Sequence, residues 1–190
     1  MRSQVLWLTL LLAAPVVAGC ESPVQDEEIS DLGPEVEGLE ESEYHRYGQN
    51  CLACHGGYGP GPLFSFAGTV FSSPTSDIPV QAARITITDS AGQTVTRQSN
   101  CAGNFYIEPD VIEPTFPVRV EVECTLPDGT LRRNVMGTRI NRDGGCASCH
   151  AVGGPTADSP GQVFCVPEGV DAGFEVPPDC PGGPEGRGGG

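Results

Sequence analysis

The 190-residue chain carries 25 acidic and ten basic side chains, for a formal charge of −15, and every side-chain cation is an arginine because lysine is absent. With no basic surface available to displace counterions from phosphates, the balance argues against nucleic acid as a partner. The length allows one domain of ordinary size plus tails, and 26 glycines with 18 prolines call for many turns and irregular segments.

The N-terminus opens with Arg2, runs through an apolar stretch from Val5 to Val17 broken by Pro15, and reaches the small residues Ala18 and Gly19 before Cys20. An apolar run of that length is a secretory signal, too short for an ordinary spanning helix. Val17-Ala18-Gly19-Cys20 resembles the lipobox of bacterial lipoproteins. The resemblance implies that residues 1–19 are removed, that Cys20 is acylated and becomes the mature N-terminus, and that membrane lipid in the cell envelope is a partner. A plain signal peptide that leaves Cys20 as a free thiol is the alternative.

Residues 20–43 follow as an acidic segment: Glu21 to Glu43 contains ten carboxylates, no cation and few bulky apolar side chains. Such a stretch buries too little apolar surface to offset chain entropy, so a disordered, extended tether is expected. Residues 44–62 hold the first cysteine cluster. Residues 63–140 read as strands. Arg84 to Thr88 and Val118 to Glu123 alternate with period two, and Phe64 to Phe71, Gln93 to Gln98, Phe105 to Ile107 and Thr130 to Met136 are further candidates. Turn signals at Asp89 to Gly92, Asn100 to Asn104 and Pro127 to Gly129 separate them. The expected fold is mainly β, an antiparallel β-sandwich.

The run Gly68-Thr69-Val70, then Ala83 to Thr88 with its glycine turn, then Gly103-Asn104-Phe105-Tyr106, resembles a carboxypeptidase regulatory-like or CnaB-like, Ig-like sandwich. Modules of that kind serve as scaffolds or spacers and bring no catalytic residues. Residues 141–152 carry the second cysteine cluster, and residues 153–190 form a Gly- and Pro-rich tail expected to be poorly ordered.

Cys51-Leu52-Ala53-Cys54-His55 and Cys146-Ala147-Ser148-Cys149-His150 both read C-x-x-C-H, the haem c attachment pattern. The spacing has a chemical reason. Two thiols must reach the two vinyl groups of one porphyrin while the next imidazole takes an axial position on its iron, and a short helical turn presents all three together. Of the three histidines in the chain, two directly follow a C-x-x-C.

Tyr47 to Gly57 resembles the opening of c-type cytochrome domains, with an aromatic ahead of the motif and glycine behind it. The resemblance implies one or two covalently bound haem c groups on Cys51, Cys54, Cys146 and Cys149, His55 and His150 as iron ligands, and other redox proteins as partners. No run of helices surrounds either copy, so the haems are expected in small, rather exposed pockets at the ends of the sandwich. C-x-x-C also serves zinc and redox sites. One tetrathiolate Zn or Fe site, or a disulfide within each C-x-x-C, would make the chain a cell-surface binding or spacer lipoprotein instead.

The remaining candidates for distal axial ligands are His45, ten residues before His55, and Met136 at a strand end; a solvated histidine and a core-filling methionine are the bland alternatives. Arg132, Arg133, Arg139 and Arg142 flank the second motif as partners for haem propionates, as a balancing basic strand face or as a docking patch. Cys101, Cys124, Cys165 and Cys180 are left for disulfides, with Cys101–Cys124 and Cys165–Cys180 as the expected pairs out of three possible connectivities. No nucleophile with a plausible base and no phosphate-cradling glycine motif is present. The sequence therefore reads more as an electron carrier than as an enzyme, with peroxidase-like activity at an open haem site as the alternative.

Overall fold

The computed structural model describes residues 22–35 and 37–181. The signal segment and Cys20, the expected lipidation site, lie outside the described residues, and no described helix is long and apolar enough to cross a membrane.

The fold is mainly β, two sheets packed face to face. The strands are β1 (Phe66–Phe71), β2 (Arg84–Thr88), β3 (Thr94–Gln98), β4 (Asn104–Ile107), β5 (Arg119–Thr125), β6 (Leu131–Val135) and β7 (Val163–Phe164). One sheet has the order β4-β1-β7 and the other β3-β2-β5-β6. All pairings are antiparallel except the two-residue parallel pairing of β7 with β1. Period-two alternation sends Ile85, Ile87, Val120, Val122 and Cys124 of the larger sheet against Phe66, Val70, Phe105 and Ile107 of the smaller one. On the solvent face of the larger sheet, hydroxyl pairs Thr86–Thr96 and Thr88–Thr94 meet across β2 and β3 at 3.2 Å.

β1 departs from the half-buried pattern, since all six of its residues are buried. Its inner face meets the core, and its outer face is covered by the segment that leads into the first cysteine cluster. That cover is what positions the site.

Three expectations are corrected here. The acidic segment 20–43 is not an extended tether throughout, because Pro23–Asp31 forms a helix, α1, with Pro23 at its first turn. Arg46 then holds the following loop, donating to the carbonyls of Leu32 (3.3 Å) and Gly33 (2.9 Å) and to Glu35 Oε1 (3.1 Å). The C-terminal segment is tied down as far as residue 181 by β7 and two disulfides.

Those disulfides are Cys101–Cys180 and Cys124–Cys165, not the expected pairs. Cys124 sits on the core face of β5 and so faces the opposite sheet, where Cys165 follows β7. It stitches sheet to sheet rather than strand to neighbouring strand. Cys101, in the turn before β4, ties down the C-terminal segment through Cys180.

Candidate functional site

The first C-x-x-C-H is carried by a single helical turn, α2 (Leu52–His55), with Cys51 at its start. A polar rivet fastens the preceding loop to the outer face of the smaller sheet. The Gly48 backbone N–H donates to Thr69 Oγ1 (2.7 Å), Thr69 Oγ1–H donates to Asn104 Oδ1 (2.7 Å), and the Asn104 amide donates to the carbonyls of His45 (3.0 Å) and Glu43 (3.3 Å). Thr69 and Asn104 are only 6% and 9% exposed, so these bonds are protected from water. Helix α1 adds a second fastening: Gln25 donates to the Ala53 carbonyl, and Asn50 donates to Glu28.

His55 is buried, and its orientation is over-determined. Nδ1 lies 2.7 Å from the Pro62 carbonyl. A carbonyl oxygen can only accept, so Nδ1 is the donor, and in the neutral ring the Nε2 lone pair is left bare. One face of the ring stacks on Phe64 at 4.2 Å, and Phe64 stacks in turn on Tyr106 of β4 at 4.7 Å. Gly61 closes against the imidazole, where an added Cβ would stand 2.5 Å from its Nδ1 and Cε1. Glycine is required there by close approach.

A cavity of about 610 Å³ opens beside this ring, within the range of small-molecule and cofactor sites. Cys51, Cys54, His55 and His45 all border it, with Phe64, Tyr106 and Ala67 as apolar lining and Glu35, Arg46 and Glu108 as charged lining. The His45 and His55 ring centroids are 6.0 Å apart. Burial lowers the His45 pKa below the ordinary imidazole value, against the opposing pull of Glu35. Burial likewise pushes the Cys51 thiol up to about 11. Both cysteines of the motif are unpaired.

The second motif repeats the imidazole arrangement on different surroundings. Cys146–Ser148 forms one 3₁₀ turn, and His150 Nδ1 lies 2.8 Å from the Gly161 carbonyl. The same donor–acceptor argument again leaves Nε2 bare. Cys146 packs against the core, with its thiol pushed up to about 12 by burial, whereas Cys149 is exposed. A second cleft of about 590 Å³ lies between the motifs and is bordered by Asn50, Leu52, Arg142, Asp143 and Ser148, but Cys149 and His150 line neither cavity.

The two motifs are neighbours. Gly145 bridges to Ala67 of β1. An added Cβ at Gly145 would stand 2.8 Å from Asn50 Oδ1, so the residues that precede Cys146 and Cys51 touch. A Cβ at Gly68 of β1 would stand 2.7 Å from that of Cys146. One strand therefore supports both clusters.

Of the two proposed distal ligands, His45 reaches the first motif. Met136 follows β6 on the edge of the larger sheet, donates its backbone N–H to the Val120 carbonyl (3.0 Å) and borders neither cavity. The flanking arginines do not act as a set. Arg133 pairs with Glu121 on the neighbouring strand, Arg132 and Arg139 are exposed, and Arg142 alone borders the cleft. The cation at the first cavity is Arg46, which the sequence reading did not single out. Nor did it assign Glu35, Gly61, Phe64, Thr69, Asn104 or Tyr106 to the site, although Thr69, Asn104 and Tyr106 belong to the runs that resemble a sandwich module. Phe64 and Gly61 carry a faint signal, since both fall just after the motif; the others come from distant segments.

Among the described residues, no three His, Cys, Asp or Glu side chains are gathered as a metal ion needs. No protein-family model, curated protein sequence or solved structure matches the chain. The functional reading rests on the chain's own residues.

Proposed function

We infer that the chain is a c-type cytochrome lipoprotein that transfers electrons outside the cytoplasm, anchored in the cell envelope through an acylated Cys20 and carrying two haems. The observation that carries this reading is the repeated imidazole geometry. Both histidines that follow a C-x-x-C donate Nδ1–H to a backbone carbonyl, at 2.7 and 2.8 Å, and both keep Nε2 free for a metal. Ligating histidines are characteristically oriented in this way. Neither a disulfide framework nor a tetrathiolate site calls for it.

The residues at the first motif fit a covalently held porphyrin. Cys51 and Cys54 carry free thiols that would form the two thioethers, His55 would supply a nitrogen ligand to the iron, and the cavity of about 610 Å³ borders all three. His45 borders the same cavity and is the distal candidate for this haem. At the second motif Cys146, Cys149 and His150 supply the same donor set with less cover. Haem, when bound, supplies reversible one-electron chemistry at iron. The chain's own work is to hold both imidazoles in one tautomer, to exclude water behind His55 with Phe64 and Tyr106, and to keep the two sites adjacent on β1.

The reading is tested by producing the full chain, signal included, in a host with a cytochrome c maturation system. The expected product keeps its colour through denaturing electrophoresis, gives a reduced pyridine spectrum and shows two haem adducts by mass. Replacing Cys51 and Cys54 by alanine removes one adduct, and replacing Cys146 and Cys149 removes the other. Matured protein without an adduct refutes the proposal and leaves the spacer lipoprotein as the better account.

A further inference from the structure

Two polar atoms at the first cavity are buried without a hydrogen-bond partner, Glu35 Oε2 and His45 Nδ1. They face each other at 3.9 Å. Burying a donor or an acceptor without a partner is costly, so native proteins carry few such orphans.

The carboxylate is not loosely placed. Glu35 Oε1 accepts from Arg46 Nε at 3.1 Å. The same guanidinium donates to the Leu32 and Gly33 carbonyls and to Gln49 Oε1 (3.0 Å), while the Gln49 amide returns to the Leu32 carbonyl (3.0 Å). Four hydrogen bonds thus lock the loop that carries Glu35. Its second oxygen is presented to His45.

We propose that Glu35 is the positioning residue for the distal side of the first haem: its Oε2 accepts the Nδ1–H of His45 and turns the His45 Nε2 lone pair toward the iron. This rests on the reading of Cys51, Cys54 and His55 as a haem site. An imidazole that ligates through Nε2 must carry its proton on Nδ1, and the unsatisfied acceptor facing that proton is Glu35 Oε2. An approach of about 1 Å brings the pair to ordinary hydrogen-bond length.

The consequence is an asymmetric pair of ligands. His55 donates to a neutral carbonyl, whereas His45 donates to a carboxylate. A carboxylate partner makes its imidazole the more basic ligand. That favours ferric over ferrous iron and lowers the potential of this haem relative to one with two carbonyl-bonded histidines. The acidic segment before the motif then has a chemical role beyond linking the sandwich to its anchor.

The test uses the full, matured chain and its Glu35→Gln, His45→Ala and doubly substituted forms. Haem adducts are counted by mass first, and both reduction potentials are then titrated. The first haem is the one whose potential and low-spin spectrum His45→Ala alters. Glu35→Gln is expected to raise that potential by a tenfold change in the reduction equilibrium, about 59 mV for one electron, and to move it far less when His45 is already alanine. An unmoved potential, or an equal shift in both backgrounds, overturns the proposal while leaving the cytochrome reading intact. A wild type without adducts overturns both. Should Glu35→Gln fail to mature, the diamagnetic ferrous wild type labelled with ¹⁵N-histidine decides. A slowly exchanging, far-downfield His45 Nδ1–H supports the contact, and a rapidly exchanging proton at the ordinary imidazole position refutes it.

Discussion

Thr69→Val separates the rivet beneath the first motif from the packing around it. Valine keeps the volume and branching of threonine and its fitness for a strand, so the change removes a hydroxyl and little else. That hydroxyl accepts from Gly48 N–H and donates to Asn104 Oδ1, each at 2.7 Å, in a place where Thr69 is 6% and Asn104 9% exposed. Losing it strands one donor and one acceptor. At about 1–3 kcal/mol for each stranded group, discounted because Gly48 is only half-buried, the expected loss is about 2–4 kcal/mol. Thr69→Ser keeps both bonds, loses one methyl and should cost about 1 kcal/mol. Urea unfolding of the matured protein, followed by far-UV dichroism, measures both. The loop that carries His45 should also loosen, so on the proposed cytochrome reading a haem held at the first motif gains high-spin character in Thr69→Val and not in Thr69→Ser. A valine variant within 0.5 kcal/mol of the serine variant would show that the rivet does not hold the site.

Gly61→Ala places a Cβ 2.5 Å from His55 Nδ1 and Cε1; the ring must retreat by about 1 Å to reach normal contact, which breaks its 2.7 Å bond to Pro62. On the proposed cytochrome reading, covalent attachment through Cys51 and Cys54 should survive while the ferric spectrum shows weakened axial ligation at one haem only; in a matured protein an unchanged spectrum contradicts the geometry. Replacing Cys124 and Cys165 by alanine opens a closure of 41 residues, worth about 4 kcal/mol in the chain-entropy account, and a denaturation midpoint near that of wild type would deny the bond a structural role. In the haem-free chain, burial holds the Cys51 and Cys146 thiols up at about 11 and about 12, against an ordinary value of 9.0. From pH 9 upward the unfolded chain releases these protons before the folded chain does, so stability is whole below that value and falls as pH rises toward 12. Urea midpoints at pH 8 and pH 10.5 measure the drop, and equal midpoints would mean that these thiols are solvated.

The strand candidates in the middle of the chain were legible because their signal is local. Arg84 to Thr88 and Arg119 to Glu123 alternate so regularly that period-two patterning alone assigns strand and core face. The acidic segment departs from its expected tether form for the complementary reason. Its composition is that of a tether, and its order comes from Arg46, Gln49 and Asn50, which lie at 46–50 and not within it. The two-residue strand β7 is below any periodic signal and exists because β1 offers it a free edge.

The candidate site divides along the same line. The sequence by itself determined which atoms are available: two C-x-x-C-H clusters, one further histidine and four cysteines for cross-links, because covalent spacing within five residues is a property of the chain alone. Only the tertiary structure decided their partners. It brought His45 rather than Met136 to the first cavity, set Pro62 and Gly161 behind the two imidazoles, laid both clusters against β1, and paired Cys124 with Cys165 across the sheets. Hydrogen bonds and disulfides act over a few ångströms, and which distant segments come that close is set by how two sheets stack their inner faces, a relation between residues that no local pattern encodes.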